Sequence, residues 1–155
     1  MTYDEWLATV PEAFTTDPLW RMKVYRLAVF LSDLAWHDAT KLAADPRTVS
    51  LADQLFRAVG SIGANIAEGY SRRSGKDRAR FYEYALGSAR ESRNWYYQGR
   101  YVLSERVTEH RIKLLSEIAR LLLAIVPQER VRYLAEQRAD YDTGLPPTLD
   151  NPPLP

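Results

Sequence analysis

The 155-residue sequence predicts an all-α fold, an antiparallel up-and-down four-helix bundle with a short N-terminal helix and a Pro-rich C-terminal tail. Three observations predict it. Apolar residues recur at helical spacing through four long segments. No segment shows the alternation of a half-buried strand. The links are short and marked by proline, glycine and capping residues, and short links favour antiparallel neighbours.

Residues 3–14 suggest a short helix, with Trp6, Leu7, Val10 and Phe14 on one face and Pro11 as its weak point. Asp17-Pro18 reads as an N-cap followed by proline in the first turn. The first long helix then runs to about Ala44, on Trp20, Val24, Leu27, Leu31, Leu34 and Leu42. Asp45-Pro46 ends it, because proline disfavours helical geometry in the preceding residue. Ser50 and Asp53 form an aspartate version of a capping box for the second helix. That helix is expected to reach Glu68, with Gly69 as a left-handed cap. Ser74 and Asp77 repeat the start signal for a third helix reaching about Ser104. Thr108 is the expected cap of the fourth, built on Ile112, Leu115, Ile118, Leu122 and Ile125. Pro127 breaks it or starts a further helix over 128–138. Beyond lies a tail with five prolines from Thr143 onward, expected to be extended and flexible. The chain divides into 1–16, an acidic segment, 17–138, the bundle, and 139–155, the acidic tail.

Composition narrows the function classes. There are no cysteines, which excludes disulfides and thiolate chemistry and suits a reducing, cytoplasmic setting. No signal-peptide pattern or membrane span is read in it. The net charge of +1 hides an uneven layout. Seven of the 20 acidic residues lie in 1–20 and 139–155, which hold no lysine or arginine, so the middle carries +8. Such a body suits solvated helix faces, or an anionic partner with the acidic ends screening the basic surface or competing for it.

The second helix sorts into three stripes at about 100° per residue. Leu51, Leu55, Val59, Ile62 and Ile66 are apolar. Arg57, Ser61, Asn65 and Glu68 are polar, and with Ser88 and Glu91 of the third helix they are read as an internal network fixing register. On that reading Asn65→Leu or Glu91→Ala costs roughly 1–3 kcal/mol. Ala52, Gly60, Gly63 and Ala67 allow close backbone approach, within one chain or between copies.

The third helix is basic. Arg72, Arg73, Lys76 and Arg80 crowd its start, where cations oppose the helix dipole, so an external anion accounts for them better than stability does. Tyr82, Trp95, Tyr96, Tyr97 and Tyr101 are core residues or platforms for unpaired bases. His37 and His110 lack metal-site companions. No phosphate loop, dinucleotide motif or nucleophile elbow is present, so no catalytic residues, metal or cofactor are assigned and the chain is read as a non-enzyme.

The run LADQLFRAVGSIGANIAEGYSRRS followed by RFYEYALGSARES resembles the 23S rRNA intervening-sequence protein family. The matching residues include Gln54, Arg57, Ser61, Asn65, Glu68, Gly69, Arg72, Phe81, Gly87, Ser88 and Glu91. The resemblance implies a bundle that assembles as a ring, a homopentamer. It also implies a distant relation to accessory proteins of diversity-generating retroelements, which bind nucleic acid and a reverse transcriptase. The chain departs from the pattern at Asp45–Val49 and around Ala89, Ser92 and Trp95-Tyr96-Tyr97, which suggests a repacked core or interface. The expected partners are further copies of the chain and structured RNA or DNA. The alternative is an adaptor that holds a protein partner such as a reverse transcriptase.

Overall fold

The computed structural model describes residues 2–142. Among them there are seven α-helices, one 3-10 turn and no strand. The helices are α1 (Tyr3–Leu7), α2 (Glu12–Thr15), α3 (Lys23–Ala43), α4 (Val49–Tyr70), α5 (Gly75–Gln98), α6 (Arg100–Leu103) and α7 (Glu105–Asp142), with the 3-10 turn at Pro18–Arg21. Broad interfaces join α3 to α4, α4 to α5 and α5 to α7, and a narrower one joins α3 to α7.

The apolar stripes read from the sequence meet in one core. Leu31, Leu42, Leu55, Val59, Ile62, Ile66, Leu115, Ile118 and Leu122 are buried in it. Each such side chain contributes about 1.5–3 kcal/mol by leaving water. A second cluster forms where the N-terminal segment folds back on α3. Trp6, Trp20, Phe30 and Leu34 are buried there, flanked by Tyr3, Leu7, Tyr25 and Leu114.

Several boundaries differ from expectation. The N-terminal helix is two short helices, α1 capped by a Thr2–Glu5 capping box and α2 starting after Pro11. Asp17 is a cap, accepting from the Leu19 amide at 2.8 Å, but the element it starts is the 3-10 turn. Met22 is extended at ψ 112°, and α3 begins only after it. The cap position of α4 is Thr48, not Ser50, and no side chain caps it. Thr48 instead donates its hydroxyl to the Leu42 carbonyl at 2.6 Å, closing the link from α3.

Gly69 is not a left-handed cap, since no glycine among the described residues has positive φ. It lies inside α4, and a β-carbon there would sit 2.7 Å from Cε1 of Tyr82. Close approach of a ring, not backbone freedom, explains this glycine. The third long helix stops at Gln98, and α6 carries the chain to Ser104. Thr108 does not cap the last helix, which starts at Glu105.

Pro127 neither breaks α7 nor starts a new helix. Leu123, whose carbonyl loses its amide donor there, and Pro127 itself are both exposed, so water can solvate the freed group. The expected boundary at 138 gives way to a helix that reaches Asp142, and the Pro-rich tail from Thr143 onward lies outside the described residues.

Candidate nucleic-acid interface

The start of α5 is built as its sequence predicts. Ser74 accepts a hydrogen bond from the Asp77 amide at 3.1 Å, which satisfies one orphan donor of the first turn. Arg72, Arg73, Lys76 and Arg80 are all exposed around it. Arg72 pairs with Glu68, and its guanidinium lies 4.8 Å from the centre of the Phe81 ring. Arg80 pairs with Asp77 at 3.4 Å and lies 5.4 Å from the same ring. Phe81 thus holds two guanidinium groups at the surface by cation–π contact. Nearby, Arg130 of α7 pairs with Glu83.

One arginine in this run has a different task. Arg78 forms an ion pair with Glu129 at 2.7 Å, and the two side chains are only 14% and 13% exposed. It also donates to the main-chain carbonyls of Arg72 and Arg73. Arg78 therefore ties the α4–α5 link to α7. Nothing in its local spacing separates it from its neighbours, because its partner lies 51 residues away.

The internal network expected across α4 and α5 does not form within the chain. Ser61 donates to the Arg57 carbonyl at 2.8 Å, and Asn65 donates to the Ser61 carbonyl at 2.8 Å. Ser88 donates to the Tyr84 carbonyl at 3.1 Å, while Glu91 accepts from Trp95 Nε1 at 3.2 Å. None of these bonds crosses from α4 to α5: Arg57 pairs with Asp53 at 3.8 Å and Glu68 with Arg72 of the α4–α5 link. Arg57, Glu68 and Glu91 are exposed, and Ser61, Asn65 and Ser88 are half-buried. No member of the stripe is fully buried, so water can replace part of its bonding and the expected cost of losing it falls below that of a buried network. The small-residue face is divided as well. A β-carbon on Gly63 would meet Ala28 Cβ at 3.9 Å, whereas one on Gly60 would meet nothing within 4 Å.

The buried polar network lies elsewhere. Asp38 of α3 accepts from the Tyr96 hydroxyl at 2.9 Å and from Arg111 at 2.7 and 3.2 Å. Burial, then the Asp38 carboxylate, pushes the Tyr96 phenol well above its ordinary range. Beside it the exposed His110 touches Arg111 at 2.8 Å, and partial desolvation followed by that guanidinium lowers its pKa. Burial also raises Tyr82, to about 12.

The aromatic residues of α5 and α6 divide accordingly. Tyr82 and Tyr96 are core, and Trp95 is half-buried. Tyr97 and Tyr101 are 56% and 84% exposed. Farther along α5, Arg90 and Arg93 are exposed. Between α3 and α4, Trp36 and Phe56 pack edge to face at 5.9 Å while 63% and 43% exposed. Among the described residues no group of three or more potential ligands could hold a metal ion, and no helix is long and apolar enough to cross a membrane.

The architecture defines a class: an all-helical protein of four long helices with a polar stripe on α4 and a cationic α5. The chain belongs to the 23S rRNA-intervening sequence protein family, whose match spans residues 21–124. It is also similar in structure to a protein of unknown function from the S23 ribosomal protein family of Bacteroides thetaiotaomicron. That likeness has a TM-score of 0.63 at 23% identity and covers 66% of this chain and 97% of the other, so it speaks to fold alone. No curated protein matches the chain. Residues 2–20, whose Trp6 and Trp20 form a clasp on α3, and the end of α7 lie outside the family match.

Proposed function

We infer that this chain is a non-enzymatic, antiparallel four-helix-bundle protein of the cytoplasm that assembles with copies of itself and binds RNA or DNA through α5. One observation carries the reading: exposed cations run from the α4–α5 link, at Arg72 and Arg73, along this helix through Lys76 and Arg80 to Arg90 and Arg93. Phosphates displace counterions at such a surface, so affinity falls steeply with salt. Replacing Arg72, Arg73, Lys76 and Arg80 by glutamate is expected to weaken binding to structured RNA and duplex DNA by about 100-fold or more at low salt. Binding that survives both the substitutions and a rise from roughly 50 to 200 mM salt would sink this reading.

Self-association, with a homopentameric ring as the expected form, is favoured by the exposed Trp36–Phe56 pair. Val49, Ala39 and Ala43 extend this apolar surface into a shallow groove. Contiguous exposed apolar area on a folded domain marks an interface. Trp36→Glu with Phe56→Glu is expected to convert the assembly to monomer in light scattering, with helix content unchanged. An unchanged mass would remove this face from the assembly. The same surface also supports the adaptor reading, in which it holds a protein partner such as a reverse transcriptase. A double variant that stays oligomeric yet loses a captured reverse transcriptase would favour that reading.

A further inference from the structure

The far end of α5 carries a second surface, distinct from the Arg72–Arg80 cluster. A groove of about 370 Å³ is lined by Arg90, Arg93, Asn94, Tyr97 and Ile112. A larger one of about 750 Å³ shares Tyr97 and Ile112 and continues past Arg100, Tyr101, Thr108 and Lys113. The shared residues make the two a single trough between α5, α6 and α7.

Four independent features meet in it. Arg90 and Arg93 have no carboxylate partner among the described residues, whereas Arg72, Arg80 and Arg130 each have one. Two guanidinium groups about one turn apart with no counter-charge suit successive phosphates. Tyr97 and Tyr101 are held open, not collapsed: the Arg100 guanidinium lies 4.1 and 4.2 Å from their ring centres. Arg100 also donates to the Tyr101 hydroxyl and to the Tyr97 carbonyl, each at 2.7 Å. The rings are thus ordered before any ligand arrives, which lowers the entropy cost of stacking on them. Ser104, at the edge of the trough, has φ 87°, a strained conformation for a residue other than glycine. The Thr108 hydroxyl has no hydrogen-bond partner among the described residues, although Thr108 is only 6% exposed. Strain and an unsatisfied hydroxyl cluster at functional surfaces more than at inert ones. The acids in the trough are Glu105 and Glu109, and Glu109 is neutralised by Lys113 at 2.6 Å.

We propose that this trough binds single-stranded nucleic acid, with unpaired bases stacked on Tyr97 and Tyr101 and the backbone held by Arg90 and Arg93. The proposal rests on the nucleic-acid reading above and names its ligand as unpaired. From residue 90 to 101 the helical rise covers roughly 16 Å, enough for four or five stacked nucleotides at about 3.4 Å each. Every base has a π face, so the site tolerates many sequences. Along the helix the trough begins about 15 Å from Arg80 and ends about 30 Å from it, which leaves room for a duplex at one end and a strand end or loop at the other.

The test is fluorescence anisotropy on the full chain with three labelled probes: oligouridylate, oligothymidylate and an RNA hairpin with a minimal loop. Tyr97→Ala with Tyr101→Ala is expected to weaken binding of both single strands about ten-fold or more and to leave the hairpin stem nearly unaffected. Tyr97→Phe with Tyr101→Phe is expected to retain single-strand affinity, because the stacking face survives. Arg90→Gln with Arg93→Gln is expected to lower single-strand affinity and its salt slope together. All four side chains are exposed, and circular dichroism checks that the helices persist. Hairpin binding without single-strand binding overturns this site and spares the broader reading. So does single-strand binding that ignores both tyrosines. No binding of any probe at roughly 50 mM salt removes the nucleic-acid reading itself.

Discussion

Replacing Asp38 by alanine is expected to destabilise the fold by about 3–5 kcal/mol. The carboxylate joins three helices: Tyr96 of α5 donates to it at 2.9 Å and Arg111 of α7 at 2.7 and 3.2 Å. The Asp38 and Arg111 side chains are 7% and 13% exposed. Deleting the acid leaves a buried guanidinium without a counter-charge and a buried phenol without an acceptor. The remaining partner, more than the lost bond, sets the cost. Adding Arg111→Met to Asp38→Ala is therefore expected to recover part of the loss, since an apolar chain of similar length needs no counter-charge. Tyr96→Phe alone is expected to cost only about 1 kcal/mol. Urea denaturation of the four proteins measures this. A loss below about 1 kcal/mol for Asp38→Ala would mean that water reaches Arg111 and that the triad does not hold the helices together.

The same triad shows where the sequence stops being readable. Leu55, Val59, Ile62 and Ile66 announce their burial by spacing, because one helix face repeats every three to four residues. Ser74 announces its cap because its acceptor and the Asp77 amide are three residues apart. Asp38 gives no such signal, since Tyr96 and Arg111 lie 58 and 73 residues away. Arg78 is hidden for the same reason. The polar stripe of α4 reads as an internal network in the sequence and stays partly exposed in the fold, because periodicity separates faces but does not say which of them a neighbour covers. Arg57, Ser61, Asn65 and Glu68 do share a stripe, but their bonds stay on α4 and the α4–α5 link and do not reach α5. Pro127 and Gly69 mislead in a different way. Both residues have strong local preferences, and in both cases the tertiary setting overrides them: exposure of Leu123 and Pro127 in one, the Tyr82 ring in the other.

Trp6→Ala is expected to release the N-terminal segment and to cost about 3–5 kcal/mol, the usual range for truncating a buried tryptophan. The indole is 1% exposed, with ring centres of Phe30 and Trp20 at 5.1 and 6.0 Å. Its Nε1–H donates to the Asp33 carboxylate, so one side chain supplies both apolar area and a charge-assisted bond. Without it, Phe30 and Leu34 of α3 lose part of their cover, and the damage reaches past the segment. The thermal midpoint is then expected to fall by roughly 6–20 °C. Trp6→Phe keeps most of the area and forfeits the hydrogen bond, so its midpoint is expected to fall by much less. Hydrogen exchange decides how the loss is distributed. Faster exchange at residues 2–21 together with α3 marks the segment as a working part of the core. Faster exchange at 2–21 alone, with the bundle midpoint unmoved, would show that the clasp docks on a bundle already stable without it. The family match begins at residue 21, so the first outcome would mean that a segment outside the match is essential to this chain's fold.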